Sequence, residues 1–121
     1  MNNFNFKEST VYKKAFSLAM DIFEISKSFP IEEKYSLTDQ VRRSSRSVCA
    51  NLAEAYRKKF YPKSFISKLT DCDGENSETN VWIDFALACK YINNEVANSL
   101  STKSEEVGKL LNDMINNPEK Y

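Results

Sequence analysis

The residues best suited to chemistry in this chain are basic side chains in one stretch, DQVRRSSRSVCANLAEAYRKKF, at residues 39–60. The stretch holds six basic residues against two acids, whereas the whole chain has seventeen of each. A planar guanidinium group can donate two parallel hydrogen bonds to a phosphate, and a neighbouring aromatic ring can stack on an unpaired base. Such a cluster is found both on phosphate-binding surfaces and on ordinary solvent-exposed helix faces.

The charges are segregated along the chain although their sum is zero. Residues 1–36 hold five lysines and five acids, residues 37–63 hold seven basic residues and two acids, and residues 64–121 hold five lysines and ten acids. The middle segment therefore carries a net charge of +5 and the last segment −5. This pattern can serve an external anion, or it can let one segment pack on another. The pI near 6.3 lies far below that of a dedicated nucleic-acid-binding protein.

Most catalytic and metal-binding motifs need residues that this sequence lacks. It has no histidine, which removes Ser-His-Asp triads, Cys-His pairs and the Glu-x-x-His metal motif of helical bundles. The three cysteines form no Cys-x-x-Cys motif, and two glycines cannot form a phosphate-binding glycine-rich loop. Carboxylates such as Glu54 and Glu78 are expected on the solvated surface. We therefore expect no enzyme, no metal site and no cofactor.

Length and composition indicate a single cytoplasmic domain over residues 1–121. A chain of this length can form one hydrophobic core without disulfides. Cys49, Cys72 and Cys89 are an odd number at wide spacings, which is typical of reduced thiols in the cytosol. The first residues, MNNFNFKEST, lack the pattern of a secretory signal, and no apolar run is long enough to span a membrane.

Apolar residues recur with a three-four spacing in four segments, which predicts four amphipathic helices. The low content of glycine and proline favours long helices over barrels or sandwiches. The predicted helices span about residues 10–28, 37–59, 62–92 and 95–116. Ser36 is expected to cap the second helix, and Gly74 lies inside the third, where a close helix contact or a local bend would explain it. The predicted fold class is all-α, an antiparallel up-down-up-down four-helix bundle.

The first and third predicted helices carry a second apolar row that a monomeric bundle does not require. One interpretation is a wide core face, or a row covered by Phe4 and Phe6. The other is a subunit interface, where aromatic residues concentrate. The predicted oligomer-interface residues are Tyr12, Phe16, Phe23, Trp82, Phe85, Cys89 and Ile92.

The basic residues of the second helix lie opposite its core positions on a helical wheel, with Arg42 at the flank. The predicted nucleic-acid-binding residues are Arg42, Arg43, Arg46, Arg57, Lys58, Lys59 and Lys63. Phe60 and Tyr61 are interleaved with the lysines. In an alternative interpretation, the arginines pair with the acidic stretch at 71–78, with a neighbouring subunit or with a partner protein. A third interpretation is a monomeric bundle with no partner.

The segment FPIEEKYSLTDQVRRSSRSVCANLAEAYRK, residues 29–58, resembles the central signature of the 23S rRNA intervening-sequence family of four-helix-bundle proteins. The matching residues are Phe29, Pro30, Glu33, Tyr35, Leu37, Thr38, Gln40, Arg42, Arg43, Ser47, Asn51, Leu52, Ala53, Glu54 and Arg57. Residues 11–15 resemble the opening helix of the family, and residues 65–92 resemble its third helix. Two positions differ from the family pattern, because Cys49 stands where a proline is usual and Ala55 where a glycine is usual.

The resemblance implies a non-enzymatic bundle that assembles into a ring-like homopentamer. Some relatives are encoded within intervening sequences of bacterial 23S rRNA genes. Others serve as accessory proteins of diversity-generating retroelements, where a basic surface binds nucleic acid and a reverse transcriptase. Our leading hypothesis is therefore an oligomeric protein that binds RNA or DNA through the basic face of the second helix. The alternative is a protein–protein scaffold or accessory subunit.

Overall fold

The computed structural model describes residues 5–121, which form four α-helices joined by short connections. The helices are α1 (Thr10–Ser26), α2 (Leu37–Arg57), α3 (Pro62–Ala88) and α4 (Asn94–Asn116). Single turns of 3-10 helix lie at Phe6–Glu8, Ile31–Glu33 and Pro118–Lys120. No strand occurs within the described residues. The predicted all-α fold class is confirmed.

The four helices form a closed square in which each helix packs against two neighbours. Within residues 5–121, the backbones of α1 and α3 each approach those of α2 and α4, whereas the backbones of the diagonal pairs lie farther apart. Side-chain contacts show the direction of neighbouring helices. Arg43 near the start of α2 reaches Glu78 late in α3, whereas Glu54 late in α2 reaches Lys68 early in α3. Neighbouring helices therefore run antiparallel, as short connections require.

The core consists of two apolar clusters with a polar layer between them. The first cluster comprises Val11, Ala15, Val48, Leu52, Ala55, Phe65, Leu69, Cys72, Val107, Leu111 and Met114. The second comprises Leu18, Ile22, Val41, Ile83, Ala97 and Leu100. Along each of α2, α3 and α4, the residues between the two clusters include buried polar side chains, namely Ser44, Ser45, Asn76, Thr79 and Ser104. The bundle therefore carries a hydrogen-bonding layer near its middle.

The polar layer pairs its members across helix boundaries. The hydroxyl groups of Ser44 and Thr79 lie 2.8 Å apart and link α2 to α3. The Asn76 amide nitrogen donates to the backbone carbonyl of Ser104 at 3.0 Å, and the Ser104 hydroxyl donates to the Asn76 amide oxygen at 3.0 Å. A shifted register would leave these groups buried without partners, at a cost of about 1–3 kcal/mol each. The layer therefore fixes how α3 aligns with α2 and α4.

The third helix ends at Ala88, about four residues before its predicted end. Lys90 adopts a left-handed backbone conformation with φ of 64°. The Tyr91 amide then donates to the Ala86 carbonyl, and the Lys90 amide donates to the Leu87 carbonyl, both at 2.9 Å. This pair of bonds closes the helix end. Helices α1 and α2 likewise end about two residues earlier than predicted, because their last turns pass into tight turns.

Gly74 lies on the exposed side of α3 with open space around it. A Cβ atom added there would meet no heavy atom within 4 Å. The prediction of a close contact between helices at Gly74 is therefore wrong within residues 5–121. Gly108 of α4 is different, because a Cβ atom there would lie 3.4 Å from the Asn76 amide nitrogen.

We predict that Gly74→Ala raises the free energy of unfolding by up to about 1 kcal/mol, because alanine loses less backbone entropy in a helix interior. Urea denaturation followed by circular dichroism measures this change. Gly108→Ala is the matched control, and its gain is expected to be smaller because the new methyl group contacts Asn76. A loss of stability in Gly74→Ala would contradict the open environment described above.

Candidate nucleic-acid interface

The basic face of α2 is divided between its two neighbouring helices. Arg42 and Arg46 lie one turn apart on the side of α1, where their guanidinium groups lie 4.9 and 5.7 Å from the centroid of the Phe23 ring. Arg42 Nε also donates a hydrogen bond to the Ser26 hydroxyl at 2.8 Å. Neither arginine forms an ion pair within residues 5–121. Their positive charges are therefore held in place but not neutralised by a nearby carboxylate.

Arg43 points to the other side and pairs with the acidic segment of α3. Its Nη1 atom lies 3.4 Å from Glu75 Oε2, and its Nη2 atom contacts Glu78. Burial raises the pKa of Glu75, and repulsion from Glu78 adds to this rise although Arg43 opposes it. Pairing with the acidic stretch at 71–78, which the alternative interpretation predicts, is therefore observed for Arg43, and the acids belong to the same chain. The charge of Arg43 is thus partly balanced by acids of the same chain at the bundle surface.

An open groove of about 590 Å³ lies at the N-terminal end of α2, beside the loop that connects α1 to α2. Two residues of the α1–α2 loop and seven residues of α2 line the groove. They are Lys34, Tyr35, Thr38, Asp39, Arg42, Arg43, Arg46, Ser47 and Ala50. Tyr35 is 85% exposed, and the Lys34 Nζ atom lies 5.3 Å from its ring centroid. The groove thus combines four basic residues, of which Arg43 is paired with acids of α3, with one acid and one exposed aromatic ring. Its three other basic residues favour the approach of anions.

Sequence reasoning missed Lys34 and Tyr35 because it searched one face of a helix, and both residues lie in a loop. A signal was available, since a basic–aromatic pair lies just before Ser36 and the start of α2 at Leu37. Only the turn of the chain between α1 and α2 brings this pair to the rim of the groove.

Glu33 holds the loop that carries the basic–aromatic pair. Its Oε1 atom accepts hydrogen bonds from the Ser36 hydroxyl and, at 3.3 Å, from the Leu37 backbone amide. Its Oε2 atom accepts one from the Tyr91 hydroxyl at 2.8 Å, which ties the α1–α2 loop to the α3–α4 connection. The expected cap from Ser36 is wrong, because the Ser36 side chain makes no bond to the helix backbone and Glu33 takes this role.

The same bonds set the ionisation of the loop. Hydrogen bonds from Ser36 and then Tyr91 lower the pKa of Glu33, so its carboxylate stays ionised at neutral pH. The hydrogen bond to Glu33 raises the pKa of Tyr91 to about 12, so this phenol stays protonated and can donate. The loop is therefore fixed by a charge-assisted contact that is complete at neutral pH.

The remaining predicted basic residues form a second patch around the α2–α3 turn. It comprises Arg57, Lys58, Lys59 and Lys63, and it includes Phe60 and Tyr61, which are 85% and 68% exposed. A helix rises 1.5 Å per residue, so Arg42 and Arg57 are separated by about 22 Å along α2. The seven predicted residues therefore form two patches at opposite ends of α2.

The predicted oligomer-interface residues also separate into two groups. Tyr12, Phe23, Trp82 and Ile92 are partly buried within the chain. Tyr12 packs edge-on against Phe6 at 5.2 Å, and Phe23 lies under the two arginines. Phe4 lies outside the described residues. Phe16 and Phe85 are 50% and 53% exposed, and Cys89 is also exposed.

The cysteines and carboxylates form no metal-binding group in the described part of the chain. Burial raises the pKa of Cys49 to about 11 and that of Cys72 to about 12, so both thiols are protonated at neutral pH. Within residues 5–121, no group of three or more Cys, Asp or Glu side chains is arranged to hold a metal ion. In the same range, every helix is too short or too polar to cross a bilayer.

Comparison with known proteins finds a matching family model and a solved structure with a similar fold. A family model described as 23S rRNA-intervening sequence protein matches residues 7–113. A crystal structure of a protein of unknown function, from the S23 ribosomal protein family of Bacteroides thetaiotaomicron VPI-5482, is 31% identical with a TM-score of 0.79. The alignment covers 88% of this chain and 95% of that chain. No curated protein matches this sequence.

We predict that Glu33→Gln lowers stability at neutral pH and that this difference shrinks in acid. The lowered pKa means that Glu33 stabilises the folded chain above its unfolded value of about 4.3, and the contribution is lost as pH falls through the folded value. Urea denaturation of both proteins between pH 7 and about pH 3 measures the difference. Glu32→Gln is the control, because Glu32 is an exposed neighbour outside these bonds. An unchanged stability difference over this range would contradict the assignment.

Proposed function

The chain belongs to the 23S rRNA-intervening sequence protein family, and we propose that it is a non-enzymatic protein that binds RNA through the groove between Lys34 and the α2 arginines. The observation that carries this proposal is the pair Arg42 and Arg46, which have no ion-pair partner within residues 5–121 and line an open basic groove. The name of the family refers to 23S ribosomal RNA, which supports RNA as the ligand in this proposal. The proposal makes phosphate oxygens the ligands of the groove.

The geometry of Arg42 favours phosphate binding. Its Nε atom is bonded to Ser26 and its guanidinium plane is supported by Phe23, so its two terminal nitrogens are positioned before a ligand arrives. A side chain held in this way loses less conformational entropy on binding than a free one. Arg46 and Lys34 add exposed cations at the same groove. Several cations at fixed spacing match the repeated phosphates of a nucleic-acid strand better than a single small anion.

The patch at the α2–α3 turn supplies a second electrostatic contact. Arg57, Lys58 and Lys63 are exposed, and Arg57 lies about 16 Å from Arg46 along α2. Charges at this distance act mainly by steering an approaching strand, and salt screens them beyond about 10 Å. We therefore assign phosphate contact to the groove and steering to the turn.

The double variant Lys34→Glu/Arg46→Glu is expected to weaken binding of a fluorescent hairpin RNA at least about tenfold at low salt. Loss of two phosphate contacts should also reduce the slope of log affinity against log salt by about 1.4–1.8. Fluorescence anisotropy between about 50 and 200 mM salt measures both quantities.

The matched control is Lys13→Glu/Lys109→Glu, which makes the same change in net charge at exposed positions of α1 and α4. The reversal Lys58→Glu/Lys63→Glu should slow association at low salt more than it changes affinity at high salt. Binding that falls equally in the groove and control variants would show a response to net charge alone. Binding that survives the groove reversal would contradict the proposed function.

We also propose that the chain self-associates, as the homopentamer implied by the family resemblance. Phe16 on α1 and Phe85 on α3 are half exposed, which is unusual for large aromatic side chains on a soluble surface. Aromatic residues are enriched in the centres of protein interfaces. Several copies in one particle would place several grooves on one surface, and weak RNA contacts would then add.

Light scattering is expected to give five times the mass of the chain, and Phe16→Ser or Phe85→Ser should shift this mass towards one chain. A serine at either position removes aromatic area that an interface would bury, about 1.5–3 kcal/mol for a Phe. Ile31→Ser is the control, because Ile31 is an exposed apolar residue outside both helices. A single-chain mass for the unmodified protein would contradict the proposal and leave the RNA test unaffected.

A further inference from the structure

We infer that the groove recognises an unpaired nucleotide of single-stranded RNA, whose base stacks on Tyr35 while Arg42 and Arg46 bind the adjoining phosphates. This inference rests on the proposed RNA binding and adds the form of RNA that is bound. It follows from three observations: the exposure of Tyr35, the rigidity of its loop and the distribution of cations in the groove.

The Tyr35 ring is placed as a stacking surface and not as a core residue. It is 85% exposed and lines the groove together with the three arginines. Lys34 Nζ lies 5.3 Å from the ring centroid, which adds a cation beside the ring. An aromatic ring next to cations is the combination with which proteins bind single strands, since bases stack on the ring and phosphates meet the charges.

The loop backbone that carries this ring is held in position before any ligand arrives. The Lys34 amide donates to the Ile31 carbonyl at 3.1 Å, and the Ser36 amide donates to the Glu33 carbonyl at 3.0 Å. The Glu33 carboxylate adds its bonds to Ser36, Leu37 and Tyr91. Both neighbours of Tyr35 are therefore fixed, and stacking on its ring does not require the loop to become ordered.

A base inside a duplex cannot use such a ring, because both of its faces are already stacked. The deep, narrow major groove of an RNA helix also excludes side chains from the base edges. A single exposed ring at the groove accommodates one base, with its neighbouring phosphates at the arginines. The expected ligand is therefore a loop, a bulge or a single-stranded end, and a fully paired helix should bind through charge alone.

Tyr35→Ala is expected to weaken binding of a short single-stranded RNA about tenfold, which is the usual loss for one stacked base. Its effect on a blunt duplex of the same sequence, and on inorganic polyphosphate of similar length, should be less than about twofold, because neither offers a free base. Tyr35→Phe keeps the ring and should restore single-strand affinity. Phe60→Ala is the matched control, since Phe60 is equally exposed but lies at the α2–α3 turn. Fluorescence anisotropy measures the three variants against each of the three labelled ligands, and circular dichroism confirms that each variant folds.

The results separate this inference from the proposed function. Equal losses on single strand, duplex and polyphosphate would show that Tyr35 acts through the shape or charge of the groove, and would overturn the stacking inference. A loss with Phe60→Ala in place of Tyr35→Ala would overturn it as well, by moving the base to the turn. If Lys34→Glu/Arg46→Glu weakens binding but Tyr35→Ala does not, RNA binding stands and base stacking fails. If neither variant changes binding, both proposals fail.

Discussion

The buried polar layer is the constraint on which the other contacts of the bundle depend. Amphipathic helices can slide along one another at small cost when their facing rows are purely apolar, since one leucine replaces another. Asn76 removes this freedom between α3 and α4, because its amide bonds both the carbonyl and the hydroxyl of Ser104. Ser44 and Thr79 do the same between α2 and α3. The layer thus reduces the buried apolar area and favours a single alignment of α2, α3 and α4.

That alignment decides what becomes of the arginines of α2. In the observed alignment of α2 and α3, Arg43 forms ion pairs with Glu75 and Glu78, which partly balance its charge. Arg42 and Arg46 lie on the opposite flank, next to the Phe23 ring of α1, and form no ion pair with any residue in the range 5–121. A chain whose formal charges sum to zero therefore still presents a local basic groove. Electroneutrality of the whole chain says little about the potential at one surface.

The loop before α2 shows how one carboxylate can join folding to surface geometry. The Glu33 carboxylate accepts hydrogen bonds from the Leu37 backbone amide at the start of α2, from the Ser36 hydroxyl and from the Tyr91 hydroxyl. Because Tyr91 lies in the α3–α4 connection, this carboxylate links the two connections at one end of the bundle. The short spacing from Glu33 to Lys34 and Tyr35 means that the same contact positions the groove rim. Surface loops are usually more mobile than the helices that they connect, and here a charge-assisted bond restrains one.

The sequence by itself determined the four helices and the all-α class, because three-four periodicity and scarce turn residues depend only on local order along the chain. It also identified the basic residues, although it treated them as one surface. Only the tertiary structure decided that Arg43 forms ion pairs, that Arg42 and Arg46 form none with the described part of the chain, and that Lys34 and Tyr35 lie beside them. The physical reason is that a helical wheel gives the direction of a side chain from its own axis, whereas its partners are set by the register and loops of neighbouring helices.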